Sequence, residues 1–331
     1  MNTESAGSQQ VVYQPVRYLP YQERVPDMQL HELGLRLLDT DPRAYWEDSP
    51  QGARTRKLVA PQLVFDMRNG FPIQTDRDML RPIMRKREGG GEEEFPNIFS
   101  QAIGEWAAFA NGAHTADEIE KYGNFQWARF LPGDRTAWID MPAGDNGPGS
   151  YGPGFVDFPS HEGVGFNQLK AVVRQMHEHP FNRNHWVSPW VAPYVFRGSG
   201  QKTLIVPCHG TMHFMIDTTR GELHLHHIQR SGDLFVGVAG CNIPQYAAVG
   251  MVVANILGLE FRTLYYTISD CHVYDFKSQI ERIRILIDRK PTPFPTVKLT
   301  RNFTALDEMR AEHFVVSDYY PHPWMNIPTP T

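Results

Sequence analysis

Pro207-Cys208-His209, followed by Gln229-Arg230-Ser231-Gly232-Asp233, decides how this chain is read. The two stretches bring a lone thiol near an arginine. A cysteine attacks only as its thiolate, and with an ordinary pKa of about 8.5 it needs nearby positive charge to ionise at neutral pH. Arg230 is the expected source of that charge. Residues 203–216 and 222–229 are patterned as two strands, joined by the turn Asp217-Thr218-Thr219-Arg220-Gly221. Cys208 and Arg230 would then sit on or beside paired strands. Alternation along a strand points neighbours to opposite faces, so adjacency alone does not make His209 the base of Cys208. Taken by itself, a free strand cysteine is most often a small buried hydrophobe.

Composition narrows the class. The chain has 331 residues, 41% hydrophobic and 21% charged, which excludes disordered and fibrous proteins and leaves ample material for a core. A net charge of −5 provides no global basic field, so no nucleic-acid partner is expected and anion recognition must be local. No uninterrupted apolar run reaches the ~18 residues of a membrane span, and the first residues lack the charged-then-apolar order of a signal peptide. A cytoplasmic protein without a membrane partner is the expectation. Three cysteines, at 208, 241 and 271, do not make a disulfide framework.

Along the chain, residues 1–26 read as an N-terminal arm and 27–331 as one catalytic domain, with a Gly-rich insertion near 81–97 around Gly89. Helical spacing predicts helices over 28–38, 98–110 and 167–177. The almost wholly apolar 246–259 predicts a central buried helix. The basic stretch 51–57 reads as a loop feeding a strand over 58–67, and its Arg54, Arg56 and Lys57 are candidate phosphate ligands. Gly- and Pro-rich residues 143–158 are expected to rim a site. His224 and His226 share a strand face as a metal pair would, but Gln229 stands where an acidic ligand is needed, and no metal is expected.

Taken with Asn242-Ile243-Pro244-Gln245-Tyr246, Asp270-Cys271-His272-Val273-Tyr274, Arg289-Lys290-Pro291 and Tyr320-Pro321-His322-Pro323, these pieces resemble the folate-dependent thymidylate synthase family, which includes the pyrimidine nucleotide hydroxymethylases. The first half adds Gly70-Phe71-Pro72, Glu105-Trp106 before Asn111-Gly112, Trp127, Gly147-Pro148 with Tyr151-Gly152, and Asn182-Arg183. The resemblance implies an α/β (α+β) fold with a large mixed β-sheet flanked by helices, paired sheet-to-sheet in a homodimer. It implies one-carbon transfer to C5 of a pyrimidine nucleoside monophosphate, with 5,10-methylenetetrahydrofolate as cofactor. In that scheme Cys208 resembles the nucleophile that adds to C6, turning C5 into an enolate-like carbon. Glu105 resembles the carboxylate that organises water and moves protons, and Tyr151 a supporting group. Gln229, Arg230 and Ser231 resemble nucleotide ligands, with Arg54 and Arg56 as a further phosphate contact. Arg183 matches an arginine given across the dimer interface to the partner's phosphate. Asn242 resembles the reader of N3 and the 4-substituent, His272 and Tyr274 the contacts to the ribose 3′-hydroxyl, and Trp127, Asp233 and Gly237 the folate wall.

The chain departs from that pattern at several places. Asn184 replaces a second interface arginine, residues 238–242 are one longer than usual with Cys241 in place of an aromatic, Phe130 replaces a tryptophan, and Ser269 a glycine. A looser folate wall admits water, so a hydroxymethylase is expected ahead of a thymidylate synthase making dTMP. Asn242 favours dUMP, although an amide flip would suit cytosine, and dCMP or CMP stay open because Ser269 could sense a 2′-hydroxyl. More distant readings are a non-catalytic nucleotide- or RNA-binding homologue and a metal-dependent protein.

Overall fold

Helix α8 (Ile243–Leu257) buries every residue from Ile243 to Asn255, because Val, Ala and Met on all its sides leave no polar face for water. The computed structural model describes residues 11–86, 90–198 and 200–330. Strands β1 (Tyr45–Asp48), β2 (Arg54–Val59), β3 (Gln62–Asp66), β6 (Trp186–Val187), β7 (Thr211–Asp217), β8 (Glu222–Asp233) and β9 (Glu260–Asp275) form one mixed sheet. Its order is β1-β2-β9-β8-β7-β6, with β3 also on β9. Only β8 and β9 run parallel, and a parallel pair needs a crossover, which α8 provides. Strands β4 (Ile83–Lys86) and β5 (Glu92–Phe95) form one separate ribbon, and β10 (Thr296–Leu299) and β11 (Phe314–Ser317) another. The other helices are α1 (Gln29–Leu35), α2 (Ile98–Ala110), α3 (Ala116–Glu120), α4 (Gly133–Thr136), α5 (Tyr151–Val156), α6 (Gln168–Glu178), α7 (Ala192–Val195) and α9 (Gln279–Asp288). This is the expected mixed α/β architecture.

Alternation assigns the faces of the sheet. Leu223, Leu225, His227 and Gln229 of β8 are buried, whereas His224, His226 and Ile228 are half-exposed. The most apolar 18-residue window of the run 234–257 has a mean hydropathy of 1.3, enough for a membrane span by length and composition, yet 83% of that window is buried inside the fold.

Three local expectations change. The strand foreseen over 58–67 breaks at Ala60-Pro61, where Ala60 takes φ +52 and Pro61 has no N–H to give the ladder. The strand foreseen over 203–216 starts only at Thr211. Before it the chain is held by side chains instead: Asn146 brackets Ile205 with bonds of 2.6 and 3.1 Å, and the Tyr151 hydroxyl accepts the Cys208 N–H at 2.7 Å. The stretch 51–57 is a loop only to Ala53; from Arg54 it is strand. Residues 11–26 of the arm lie over the body, with the Tyr18 hydroxyl donating to Val297 O and Phe261 N–H to Pro15 O. Residues 1–10 lie outside the described residues. The expected insertion contains the β4–β5 ribbon, and its Gly89 is also outside them.

Helix α2 sets the depth of Glu105 through its neighbour. A Cβ added at Gly104 would stand 2.0 Å from the Tyr122 carbonyl oxygen, so helix and loop touch backbone to backbone. Gly104→Ala should cost about 3 kcal/mol by overpacking. Thermal unfolding reads this directly, and an unchanged melting temperature would mean that the helix can move away from Tyr122.

Candidate active site

Cys208 lies just before Gly210, whose φ of +99 and close approach to Phe155 and Pro189 turn the chain into β7. The Gly210 N–H donates to His227 Nε2 at 3.0 Å, which burial keeps neutral and able to accept. Arg230 clasps this segment from β8. Its Nε donates to Pro207 O at 2.8 Å, its Nη2 to Val206 O at 2.9 Å and to Cys208 Sγ at 3.3 Å, and its backbone N–H to Cys208 O at 2.8 Å. His209 points into the core, with Nδ1 2.6 Å from the Tyr246 hydroxyl, and burial drives its pKa down to about 3. It is no base for Cys208.

Arg230 does draw the thiol towards ionisation, as does Tyr151, but burial outweighs both and leaves the Cys208 pKa above its ordinary value. The expectation that Arg230 makes a resident thiolate is therefore revised: without ligand the protonated thiol prevails at neutral pH. Arg230 shifts the balance without reversing it.

A cavity of about 950 Å³ opens beside Cys208 and Arg230, lined also by Ser231, His272, Tyr274, Lys57, Arg135 and Arg197. Arg54 and Arg56 are not on it. They occupy the opposite face of β2, with their guanidinium carbons 5.4 and 5.7 Å from the Trp46 ring centre and Arg56 Nε donating to Leu37 O. Strand alternation puts Thr55 and Lys57 on the cavity side instead. Of the three cations of 51–57, the structure thus puts Lys57 alone on the cavity; sequence reading missed Arg135, Arg197 and Trp138, which come from the segments 133–139 and 196–201. Beginning β2 at Arg54 would have been enough to separate Lys57 from Arg56. Arg183 is exposed, its carbonyl accepting from His213 Nε2, and it does not reach the cavity of its own chain.

An adjoining cavity of about 320 Å³ brings together Glu105, Trp127, Phe130, Tyr151, Asp233, Gly237, Cys241 and Asn242. A chain of amides orients its polar floor. Gln245 Nε2 must donate, because it faces Ala102 O at 3.0 Å and Glu105 Oε2 at 3.1 Å. Its Oε1 then takes Asn242 Nδ2 at 3.3 Å, and Asn242 Oδ1 takes Gln229 Nε2 at 3.1 Å. The Tyr266 hydroxyl closes the chain on Gln229 Oε1. Trp127 Nε1 donates to Glu105 Oε1 at 2.7 Å, yet burial still raises the Glu105 pKa. Reversing the Asn242 amide would break two bonds in a buried setting, at roughly 1–3 kcal/mol each, so the free flip considered from the sequence does not hold. The extra residue of 238–242 is absorbed in a π-helical turn over Leu234–Asn242 that runs directly into α8.

This cavity continues into one of about 600 Å³ through Arg129, Val236 and Cys241, with Trp324 and Ile327 on its walls and Arg77, Arg81 and Lys277 around it. Asp233, buried at the junction, accepts Gln279 Nε2 and the Thr329 hydroxyl, and burial raises its pKa. Aromatic walls, a buried carboxylate and a cationic outer part suit a flat heteroaromatic with an acidic tail. Among the described residues no group of three or more His, Cys, Asp or Glu is placed to hold a metal ion. His226 Nε2 lies instead 2.9 Å from the Thr267 hydroxyl. The sequence model of the family described as Thymidylate synthase matches residues 38–330.

The thiol's raised pKa has a measurable sign. Alkylation of Cys208 by iodoacetamide should accelerate with pH through an apparent pKa above that of a free cysteine. Arg230→Gln removes a lowering charge and should slow alkylation further at mildly alkaline pH. Faster alkylation of that variant would contradict the assigned balance.

Proposed function

From the premise that this chain belongs to the thymidylate synthase family, whose model takes in residues 38–330, we propose that it hydroxymethylates C5 of a uracil nucleoside monophosphate. At family level it is a folate-dependent one-carbon transferase acting on a pyrimidine nucleotide, and methylenetetrahydrofolate is its cofactor. The observation that carries the covalent reading is Cys208 Sγ at 3.3 Å from Arg230, on the wall of a cavity that adjoins the Glu105–Asn242 floor.

The bound cofactor supplies the one-carbon unit. Cys208 loses its proton to solvent and bonds through Sγ to C6 of the pyrimidine, pushing the C5–C6 π electrons onto C5 and the 4-oxygen, which makes C5 nucleophilic; loss of the C5 proton later expels the sulfur and restores the double bond. Glu105, whose pKa burial raises, is linked to the Asn242 amide through Gln245 and can pass protons at the 4-substituent and C5. Tyr151 accepts the Cys208 N–H and keeps the nucleophile's backbone in place. Asn242, an amide and not a carboxylate, supports uracil over cytosine, and its fixed orientation supports recognition of one base only. The hydroxymethyl ending draws its support from the wall: Phe130 and Cys241 leave less aromatic cover than the tryptophan and the aromatic they replace, so water can reach an exocyclic methylene on the base. We further propose a homodimer in which Arg183 reaches the partner's phosphate site, since it is exposed and stands away from its own cavity.

Mass spectrometry of each nucleotide incubated with methylenetetrahydrofolate is the direct test: uracil nucleotide should gain a hydroxymethyl group, and a methyl gain with dihydrofolate would identify the reductive ending instead. Cys208→Ser should reduce product to background while nucleotide binding persists. Arg183→Ala and Cys208→Ser, each inactive alone, should regain activity when mixed and allowed to exchange subunits; no recovery would remove Arg183 from the shared site.

A further inference from the structure

The cavity beside Cys208 carries two electrostatically different sets of side chains. Arg135, Arg197 and Arg230 line it without an ion pair to any carboxylate among the described residues. Lys57 is different. Its Nζ is 2.8 Å from Glu47 Oε2 and 3.0 Å from Asp270 Oδ2, and Asp270 Oδ1 is in turn 2.9 Å from His272 Nδ1. One ammonium between two carboxylates has no surplus positive charge for a phosphate. The anionic end of a nucleotide therefore belongs with the uncompensated arginines, and its neutral hydroxyls with Lys57 and His272.

The compensated set is also equipped to bind hydroxyls. An ammonium has three protons, and two of those on Lys57 point at carboxylates. His272, tied through Nδ1, makes no hydrogen bond through Nε2 among the described residues, although both it and Lys57 line the cavity. Pairing of Lys57 with His272 across β2 and β9 sets these two groups side by side on one face. Two adjacent ligand-facing groups match two adjacent hydroxyls. A deoxyribose would offer one hydroxyl and set a methylene against the other group, leaving a desolvated donor without a partner. Ser269, the residue expected to sense a 2′-hydroxyl, is exposed and off the cavity, its carbonyl accepting the Ala60 N–H.

We infer that the sugar of the substrate is ribose and that Lys57, held by Glu47 and Asp270 beside His272, is the residue that selects for the 2′-hydroxyl. The inference rests on reading this cavity as the nucleotide site. It replaces dUMP with UMP as the expected substrate.

Calorimetric titration of the full-length protein with UMP, dUMP, CMP and dCMP tests it without relying on turnover. The ribonucleotide of each pair that binds should do so at least about tenfold more tightly than its deoxy counterpart. Lys57→Met should bring the two sugars to near parity, mainly by weakening the ribonucleotide. 3′-Deoxy-UMP, titrated into the unmodified protein, separates loss of the 3′-hydroxyl from loss of the 2′-hydroxyl and does not depend on the variant's folding. Equal or tighter binding of dUMP by the unmodified protein overturns the sugar assignment and leaves the nucleotide site standing. A Lys57→Met protein that melts normally and keeps the ribose preference overturns the role of Lys57. If no nucleotide binds, the proposed function falls together with this inference.

Discussion

The bonds from Arg230 to Val206, Pro207 and Cys208 are the constraint from which the site is built. Residues 203–210 have no ladder partner, and a peptide segment without one must find other acceptors and donors or pay desolvation. A guanidinium offers five donors in a rigid fork, so one side chain can satisfy two carbonyls and still face the sulfur. The same geometry limits its electrostatic effect. Burial of Cys208 opposes ionisation more strongly than one partly committed charge favours it.

The second constraint is the directional chain from Tyr266 through Gln229, Asn242 and Gln245 to Glu105 and Trp127. Its members come from β9, β8, the π-helical turn over Leu234–Asn242, α8, α2 and the residues after α3. Any amide in isolation could be turned over, but the Ala102 carbonyl fixes Gln245, and each neighbour inherits its orientation. Sheet and helices are thus locked in register by the groups that form and back the cavity floor. Such a network is most costly to leave half-satisfied when buried, which ties the stability of the core to the recognition surface.

Much of this was legible beforehand. The helices expected over 98–110 and 167–177 follow from apolar spacing; the structure adds that Asn97 and Asn167 cap them, accepting the N–H groups of Ser100 and Lys170, so that the second runs from Gln168 to Glu178. The buried helix expected over 246–259 follows from its lack of any polar stripe, and the structure starts it earlier, at Ile243, and ends it at Leu257. The paths of residues 58–67 and 203–210 were not legible, because a positive φ at Ala60 and side-chain partners for Ile205 and Cys208 are products of packing. Grouping Arg54 and Arg56 with Lys57 followed from reading 51–57 as a loop; with β2 beginning at Arg54, alternation leaves only Lys57 of the three on the cavity side.

What the sequence determined by itself was the inventory and its order: one thiol ahead of an arginine, an acid and an indole on the first half, amides at 229, 242 and 245, and an apolar helix between two strands. These follow from local patterning and residue chemistry, which need no neighbours. Tertiary structure alone decided which cations face the cavity, which way the Asn242 amide points and whether Cys208 rests as thiol or thiolate. Each of those depends on burial and on partners far away in the chain, and burial exists only once the chain has closed around the site.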